Sequence, residues 1–220
     1  MARKKDTTGN LFDPTSGNAW DEKLLPLIEK YQATPHPLQY KNLYQLMVMV
    51  ILSAQDSDKH INEVAPPFFA AFSDFSAIAK ASPKALHPYL KSVRNFANKC
   101  EWLYKTATKL GSGKISLKME DLTALDGIGR KSANVIRREM KEKAEGIIVD
   151  LHVLRVVPRL GISQAKDATR MEKDLMQAIS EPLWHHAGMC ISFLGRETCR
   201  PSNPKCGECV MNPHCKFANS

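Results

Sequence analysis

The amino-acid sequence predicts an all-α protein built from about ten short helices. Apolar residues recur at helical spacing through most of the chain, and glycine, proline or a polar capping residue separates the segments. The stretch 147–149 (Ile-Ile-Val) is the only one with strand-like composition. The sequence shows neither the strand–helix alternation of an α/β fold nor an internal repeat, which leaves a helical fold as the prediction.

The first half of the chain contains a polar tail followed by six expected helices. Residues 1–18 are polar and lack periodicity, which predicts a mobile tail. Pro35 and Pro37 restrict their own backbone and that of the preceding residues, so they are expected to separate the first two helices. The second helix is apolar on most sides, which predicts burial. The helices are expected at 19–31, 41–54, 58–71, 74–81, 83–93 and 97–110.

The second half continues the helical pattern up to a loop that is rich in cysteine. Gly195 is expected to end the last helix, because glycine commonly follows a helix C terminus. The helices of this half are expected at 117–125, 130–143, 151–160, 168–180 and 182–194.

Composition excludes several classes of protein. Hydrophobic residues make up 43% of the 220 residues, which is typical of a folded globular chain. The longest apolar run, Leu46–Leu52, is far shorter than the about 20 residues of a membrane span. No apolar segment follows the basic N-terminal residues, so a cytoplasmic protein without a signal peptide is expected. The net charge of +8 favours a polyanionic partner, either nucleic acid or an anionic membrane surface.

Four of the six cysteines are clustered in the C-terminal loop, at Cys199, Cys206, Cys209 and Cys215. A reducing compartment favours metal ligation over disulfides for such a cluster. Four thiolates bind either one zinc ion or one iron–sulfur cluster, and their chemistry alone leaves both open. Cys100 and Cys190 stand alone in apolar helical segments and are predicted to be buried core residues.

A tight helical hairpin is predicted within residues 122–136. Gly127 and Gly129 allow a turn that other residues reach at a steric cost, Ile128 is expected to fill the groove between the helices, and Ala133 to let them approach. The second helix then starts with unpaired N–H groups, which favour a bound phosphate. Its basic residues are expected to be exposed: Arg130, Lys131, Arg137, Arg138 and Lys141. A hairpin that merely packs two helices is the alternative.

Lys131 and Asp150 are the two candidate catalytic residues. Lys131 is either a surface lysine that contacts phosphate or a nucleophile; the positive helix end and Arg130 both disfavour its ammonium form, as a nucleophile requires. Asp150 follows an apolar run and opens a helix, so an N-cap is the simplest interpretation. A carboxylate fixed at that position is also suited to stabilise positive charge on a sugar, and the two roles are compatible.

Three motifs together resemble the endonuclease III family of helix-hairpin-helix DNA glycosylases, over about residues 20–217. They are LDGIGRKSANV, VDLHVLR and the spacing Cys-x6-Cys-x2-Cys-x5-Cys. The resemblance implies a two-domain all-α fold behind the tail at 1–18. A helical barrel domain with the hairpin would cover 38–146, and an iron–sulfur cluster domain would combine 19–37 with 147–220. It also implies a bifunctional base-excision-repair enzyme that removes oxidised pyrimidines and cleaves the abasic strand.

The same resemblance implies roles for individual residues. Lys131 would be the Schiff-base nucleophile and Asp150 the catalytic carboxylate, while the four clustered cysteines would hold a 4Fe-4S cluster. Gln55 would fill the gap left by an extruded nucleotide, although by itself it is an ordinary helix-end residue. The partner would be double-stranded DNA with damaged bases or abasic sites, bound by a monomer near the nucleoid, with no membrane. The DNA contacts would be Gln55, Arg94, Asn95, Gly127, Ile128, Gly129, Arg130, Arg200 and Lys205, although ordinary solvated charge is the alternative for Arg200 and Lys205.

Four residues, at three places in the sequence, depart from the family pattern. Arg94 and Asn95 stand where a glycine and a bulky apolar wedge residue are usual, Asp126 replaces a frequent proline, and Leu151 follows Asp150 where threonine is common. The departures leave open a glycosylase of narrowed specificity, an enzyme that is mainly an abasic-site lyase, or a non-catalytic protein that binds damage.

Overall fold

The computed structural model describes residues 18–220, and in this range the chain forms eleven α-helices and two 3₁₀ helices. The α-helices are α1 (Asp21–Tyr31), α2 (Leu43–Leu52), α3 (Asp58–Ala71), α4 (Phe75–Lys80), α5 (Pro83–Leu90), α6 (Phe96–Leu110), α7 (Met119–Thr123), α8 (Arg130–Glu139), α9 (Leu151–Leu160), α10 (Ala168–Ala178) and α11 (Glu181–Glu197). The 3₁₀ helices are Cys206–Glu208 and Asn212–His214. The all-α prediction is confirmed, while residues 1–17 of the expected tail lie outside the described range.

The chain divides into two compact units. The hairpin unit is Thr34–Lys143, and the cysteine unit is Ala144–Ser220 together with the described residues up to Ala33. These boundaries differ by a few residues from the domain boundaries expected at 38 and 146. None of the helices formed by residues 18–220 has the length and apolar character that a membrane span requires.

Polar residues immediately before the helices explain why many boundaries follow from the sequence. The side chains of Ser57, Asp74 and Asp167 each accept a hydrogen bond from a backbone N–H in the first turn of the helix that follows. Pro83 occupies the first position of α5, where its missing N–H costs nothing, and Gly111 follows α6 with φ of 55°. Helices α3, α4 and α10 therefore begin where a preceding side chain satisfies a free backbone N–H.

The core of the hairpin unit surrounds α2. All residues from Leu46 to Leu52 are buried, and α2 contacts α3, α6 and α8. Cys100 on α6 is buried in this core, which confirms the prediction for that residue; burial raises the pKa of its thiol to about 11. The expectation of a helix buried on most sides is confirmed, because apolar residues on all faces of α2 need neighbours all round.

The cysteine unit is centred on α11, which contacts α1 and α9. Tyr31 on α1 stacks on Phe193 with ring centroids 5.9 Å apart, and its hydroxyl donates to Glu197 at 2.9 Å. Cys190 is buried on α11, as predicted. The first helix of the described chain thus packs on the last one, within one unit.

One expectation about this unit is wrong. Gly195 does not end the last helix, because α11 continues to Glu197 and Gly195 lies buried inside it. A Cβ at Gly195 would lie 2.8 Å from the Cβ of His152, so the glycine permits close packing against α9 rather than a helix stop. Residues 147–149 form no strand; they are a buried irregular segment that leads into α9.

Candidate active site and cysteine loop

The turn between α7 and α8 requires glycine at its first glycine position. Gly127 has φ of 79°, and a Cβ there would lie 3.1 Å from side-chain atoms of both Ile51 and Trp102. Ile128 is buried, as expected, and its N–H donates to the Leu125 carbonyl at 3.2 Å. Gly127 and Ile128 therefore fix the shape of the turn through contacts inside the protein.

Gly129 differs from Gly127, because no contact among the described residues requires a glycine at this position. Its φ of −87° is open to any residue, and a Cβ there would have no atom of residues 18–220 within 4 Å. Gly129 occupies the N-cap position of α8 and has no side chain to accept from the first-turn N–H groups. The N terminus of α8 is thus left open, as a helix end that receives an anion would be.

The basic face of α8 is narrower than expected. Arg130 and Lys131 are exposed in the first turn. Arg137 was expected to be exposed but is buried, and it donates to the carbonyls of Leu117 and Lys143. The reason is helical spacing: Arg137 lies four residues after the buried Ala133 and shares its inward face. Arg138 is half-buried and pairs with Glu139.

A set of polar side chains beside the hairpin, namely His36, Tyr40 and Glu139, was not predicted from the sequence. The Tyr40 hydroxyl donates to Glu139 at 2.5 Å, and burial with this bond raises the pKa of Tyr40 far above its ordinary value. His36 accepts from the Leu38 N–H at 3.1 Å, and burial lowers the pKa of its imidazole to about 4. The charged groups that influence His36 are Glu139, Asp58, Lys131 and Arg138. The sequence gives little sign of this group beyond two prolines flanking a histidine.

Asp150 is held by hydrogen bonds to both carboxylate oxygens. Oδ1 accepts from the N–H groups of His152 and Val153 at 2.8 and 2.9 Å, which makes Asp150 the N-cap of α9 as predicted. Oδ2 accepts from the Ser192 hydroxyl at 2.6 Å and lies 3.9 Å from the Arg196 guanidinium. The side chain is only 14% exposed, so its position is fixed while an edge still reaches solvent.

Small residues on α11 make this arrangement possible. Gly188 faces the segment before Asp150, and a Cβ there would lie 2.5 Å from the Ile148 carbonyl oxygen. Ser192, one turn further along, is fully buried and points its hydroxyl at Asp150. Sequence reasoning missed Ser192 because it stands in an apolar run 42 residues away. The spacing of Gly188, Ser192 and Gly195 on one face was the available signal.

Gln55, Arg94 and Asn95 come together in the hairpin unit. The Asn95 side-chain N–H₂ lies 3.5 Å from the Gln55 side-chain oxygen, and both residues are exposed. The Arg94 N–H donates to Asp56 Oδ2 at 2.9 Å. The predicted DNA contacts from two distant segments therefore form one surface cluster.

The four clustered cysteines line one cavity at the C-terminal end of the cysteine unit. Burial raises the pKa of the Cys209 thiol; a hydrogen bond from the Met211 N–H opposes this, and nearby Cys199, Cys215 and Cys206 add to the rise. Because each thiol affects Cys209, the four sulfur atoms share one environment. The arrangement fits a group that is bound by four thiolates at once.

Four thiolates that line one cavity are a donor set that fits one zinc ion or one iron–sulfur cluster. Arg159 donates to Cys199 Sγ at 3.4 Å. Arg200 and Lys205 are exposed on this loop, and Lys205 lies 3.3 Å from Glu208.

Two family models match the chain. Residues 48–181 match the HhH-GPD superfamily base excision DNA repair protein, and residues 199–215 match the iron-sulfur binding domain of endonuclease III. The second match begins and ends at Cys199 and Cys215. The cofactor held by the cysteine loop is thus a 4Fe-4S cluster.

Known proteins are similar along most of the chain. Endonuclease III of Synechocystis sp. is 34% identical over 202 residues, which cover 90% of this chain and 92% of that protein. Endonuclease III of Haemophilus influenzae is 31% identical over 192 residues, covering 84% and 90%. A solved structure described as a trapped endonuclease III–DNA covalent intermediate, an estranged-adenine complex, has a TM-score of 0.81 at 27% identity and covers 90% of this chain and 94% of that chain.

The helical hairpin, the capped aspartate and the four-cysteine loop lie within the matched residues of these proteins. The chain therefore belongs to the endonuclease III family of helix-hairpin-helix base-excision-repair enzymes, which are DNA glycosylases and abasic-site lyases.

Proposed function

We propose that the chain binds double-stranded DNA as a monomer, removes oxidised pyrimidines and cleaves the resulting abasic strand through Lys131. The observation that carries this proposal is the exposed Lys131 in the first turn of α8, where Gly129 leaves the helix N terminus open to an anion. A backbone phosphate at that helix end would hold the sugar of the same nucleotide near the lysine. Two structurally similar proteins are described as DNA complexes of endonuclease III, which supports DNA as the partner.

The proposed reaction uses Lys131 as the nucleophile. The neutral Lys131 amine attacks C1′ of the damaged nucleotide as the bond from C1′ to the base breaks, and the departing base takes a proton from water. The nitrogen, now bound to C1′ and positively charged, passes one proton to O4′ as the bond from C1′ to O4′ breaks and the sugar ring opens, which gives an iminium between Nζ and C1′. Loss of a proton from C2′ allows the 3′ phosphate to leave, and water finally releases the lysine. Each step conserves atoms and charge, with no external oxidant or reductant.

Asp150 is the proposed carboxylate that stabilises positive charge on the sugar during base loss. Its two oxygens are fixed by the N–H groups of α9 and by Ser192 before any substrate binds, so no reorganisation is needed as charge develops. The same geometry that makes Asp150 a cap therefore suits it to electrostatic catalysis.

The two units take the proposed roles of a helical barrel domain and an iron–sulfur cluster domain. In the hairpin unit, Gly127 and Ile128 fix the turn, while Gly129 and Arg130 face the phosphates beside Lys131. In the cysteine unit, Cys199, Cys206, Cys209 and Cys215 hold the cluster. The cluster supplies a rigid core for the loop, so that Arg200 and Lys205 face DNA. Gln55, Arg94 and Asn95 supply the remaining DNA contacts.

A narrowed substrate range is a second candidate, and one observation favours it. Leu151, next to Asp150, is 79% exposed, which is unusual for a large apolar side chain. An apolar group beside the catalytic carboxylate would favour some extruded bases over others. A panel of duplexes with different pyrimidine lesions distinguishes a broad enzyme from a narrow one.

The lysine mechanism is tested by trapping with borohydride on abasic DNA, which reduces an imine to a stable adduct. The wild-type chain should form a covalent protein–DNA product, and Lys131→Ala should bind abasic DNA but form none. Lys105→Ala is the matched control, because Lys105 is an exposed lysine on α6 of the same unit and should leave trapping unchanged. Absence of an adduct with the wild-type chain, or its persistence in Lys131→Ala, would refute the mechanism.

A further inference from the structure

Gln55 and Asn95 share an unusual backbone conformation. Their φ angles are 59° and 55°, in the left-handed region that non-glycine residues adopt uncommonly. They are 40 residues apart in sequence, yet their carboxamides lie 3.5 Å apart on the protein surface. This distance is at the outer limit of a hydrogen bond, so a ligand with better geometry would readily replace the contact. Backbone strain at an exposed polar pair points to a function.

Asp56 ties the two segments together directly behind the pair. Its Oδ2 accepts from the Arg94 N–H at 2.9 Å, and its Oδ1 accepts from the Ser57 N–H at 2.8 Å. Oδ1 also lies 2.8 Å from His60 Nδ1, and the other ring nitrogen of His60 lies 3.1 Å from the Ser92 hydroxyl. One carboxylate and one imidazole thus connect the loop before α3 to the loop before α6.

Lys99 makes a second hydrogen bond that connects the same two loops. It is 1% exposed, and its ammonium donates to the Leu52 carbonyl at the end of α2 at 2.7 Å. Burial lowers the pKa of Lys99, which shows the cost of placing a cation there. Lys99 lies one turn after Asn95, and Leu52 lies three residues before Gln55. Because the buried Lys99 joins these two loops, the relative position of the Gln55 and Asn95 side-chain amides is fixed.

The side chains of Gln55 and Asn95 can both donate and accept hydrogen bonds. Each carboxamide offers one oxygen acceptor and two N–H donors, and side by side they present donors and acceptors at once. The edges of nucleobases carry the same mixture, and Asn and Gln are the residues that pair with such edges. An enzyme that extrudes a base leaves the opposite base unpaired, with its donors and acceptors exposed. An apolar side chain would fill space there but satisfy none of these groups.

We propose that Asn95 and Gln55 form one recognition element for the hydrogen-bonding edge of the unpaired opposite base, and that Asn95 makes the enzyme dependent on that base. The inference rests on the proposed function, since it requires that a nucleotide be extruded from duplex DNA. It assigns to Asn95 a polar recognition role in place of an apolar wedge. Asp56 and Lys99 are positioning residues, which act by holding the two loops.

The test measures binding of five duplexes that carry an uncleavable abasic analogue. Opposite the analogue stands adenine, guanine, cytosine, thymine or a second abasic analogue. The wild-type chain should bind at least one base-containing duplex about tenfold more tightly than the doubly abasic one, as expected for one or two added hydrogen bonds. Asn95→Gly should reduce this ratio to about twofold or less.

Glycine is the right replacement because it accepts a positive φ without strain and removes only the amide. Asn203→Gly is the matched control, since Asn203 is another exposed asparagine with positive φ, 49°, in the cysteine loop. Asn203→Gly should keep the wild-type ratio of affinities between the base-containing and the doubly abasic duplexes. A second variant, Asn95→Leu, restores an apolar wedge and should bind all five duplexes with similar affinity.

Three outcomes would overturn the inference. Equal wild-type affinity for all five duplexes, or a full ratio in Asn95→Gly, would refute recognition by Asn95 while leaving the proposed function intact. Loss of the ratio in Asn203→Gly would show that the effect is not specific to this pair. Failure of the wild-type chain to bind any abasic duplex would refute the proposed function together with the inference.

Discussion

Lys131 and Asp150 are positioned in opposite ways. Asp150 is mostly buried, and both of its oxygens accept hydrogen bonds from α9 and α11. Lys131 is exposed on the first turn of a helix whose N-cap has no side chain. The difference agrees with the proposed chemistry. A group that acts through its charge benefits from a fixed place, whereas a nucleophile must reach a carbon atom and later release it.

The sharpest test of this contrast removes the charge of Asp150 but keeps an oxygen that accepts from the first-turn N–H groups of α9. Asp150→Asn should lower the single-turnover rate of base removal by about 10²- to 10⁴-fold, with a free energy of unfolding close to wild type because Asn caps helices as well as Asp. Asp150→Ala should lose the same activity and also about 1–2 kcal/mol of stability. A wild-type rate in Asp150→Asn would show that the carboxylate is only a cap.

A pair of glycine variants separates packing from ligand approach. Gly188→Ala places a Cβ 2.5 Å from the Ile148 carbonyl oxygen, so it should lower the free energy of unfolding by about 1–3 kcal/mol. Gly129→Ala adds a Cβ that meets nothing, and should leave stability within about 0.5 kcal/mol but weaken DNA binding. Chemical denaturation and titration with duplex DNA measure the two effects. The reverse pattern would contradict the contrast between the two sites.

The smallest expected effect concerns the pH dependence of stability. Burial lowers the pKa of His36 to about 4, so between about pH 6.5 and pH 4 the unfolded chain binds a proton that the folded chain does not. Above about pH 6.5 the neutral His36 therefore costs the folded protein no stability. As the pH falls from there, the free energy of unfolding decreases by at most about 3 kcal/mol because of His36. His36→Gln should show a weaker decline between pH 7 and pH 4.5 in denaturation experiments. Equal declines in both proteins would refute the assignment.

The sequence predicts local features of this molecule well because they depend on neighbouring residues. Asp150 is recognisable as a cap from the residues beside it, and the cysteine loop from its spacing alone. The contacts of Ser192 with Asp150 and of Asn95 with Gln55 join residues 42 and 40 positions apart, so no local pattern shows them. Arg137 was assigned to the surface because of its charge, although its helical position placed it inward.

Gly195 shows a different limit of sequence reasoning. Glycine ends many helices, but it also allows two helices to approach closely, and the sequence alone does not distinguish these uses. The deciding fact is the Cβ of His152, which occupies the space where a side chain at Gly195 would lie. Such a contact becomes visible only when both helices are in place.

The packing of α1 on α11 has a consequence for the order in which the protein folds during synthesis. Tyr31 finds its partner Glu197 only 166 residues later, whereas every residue of the hairpin unit has been made before α11 begins. A ribosome therefore completes one unit while α1 still lacks the helix that covers it. The four cysteines follow α11 in the chain, so they can hold the cluster together only after α1 and α11 have both been made.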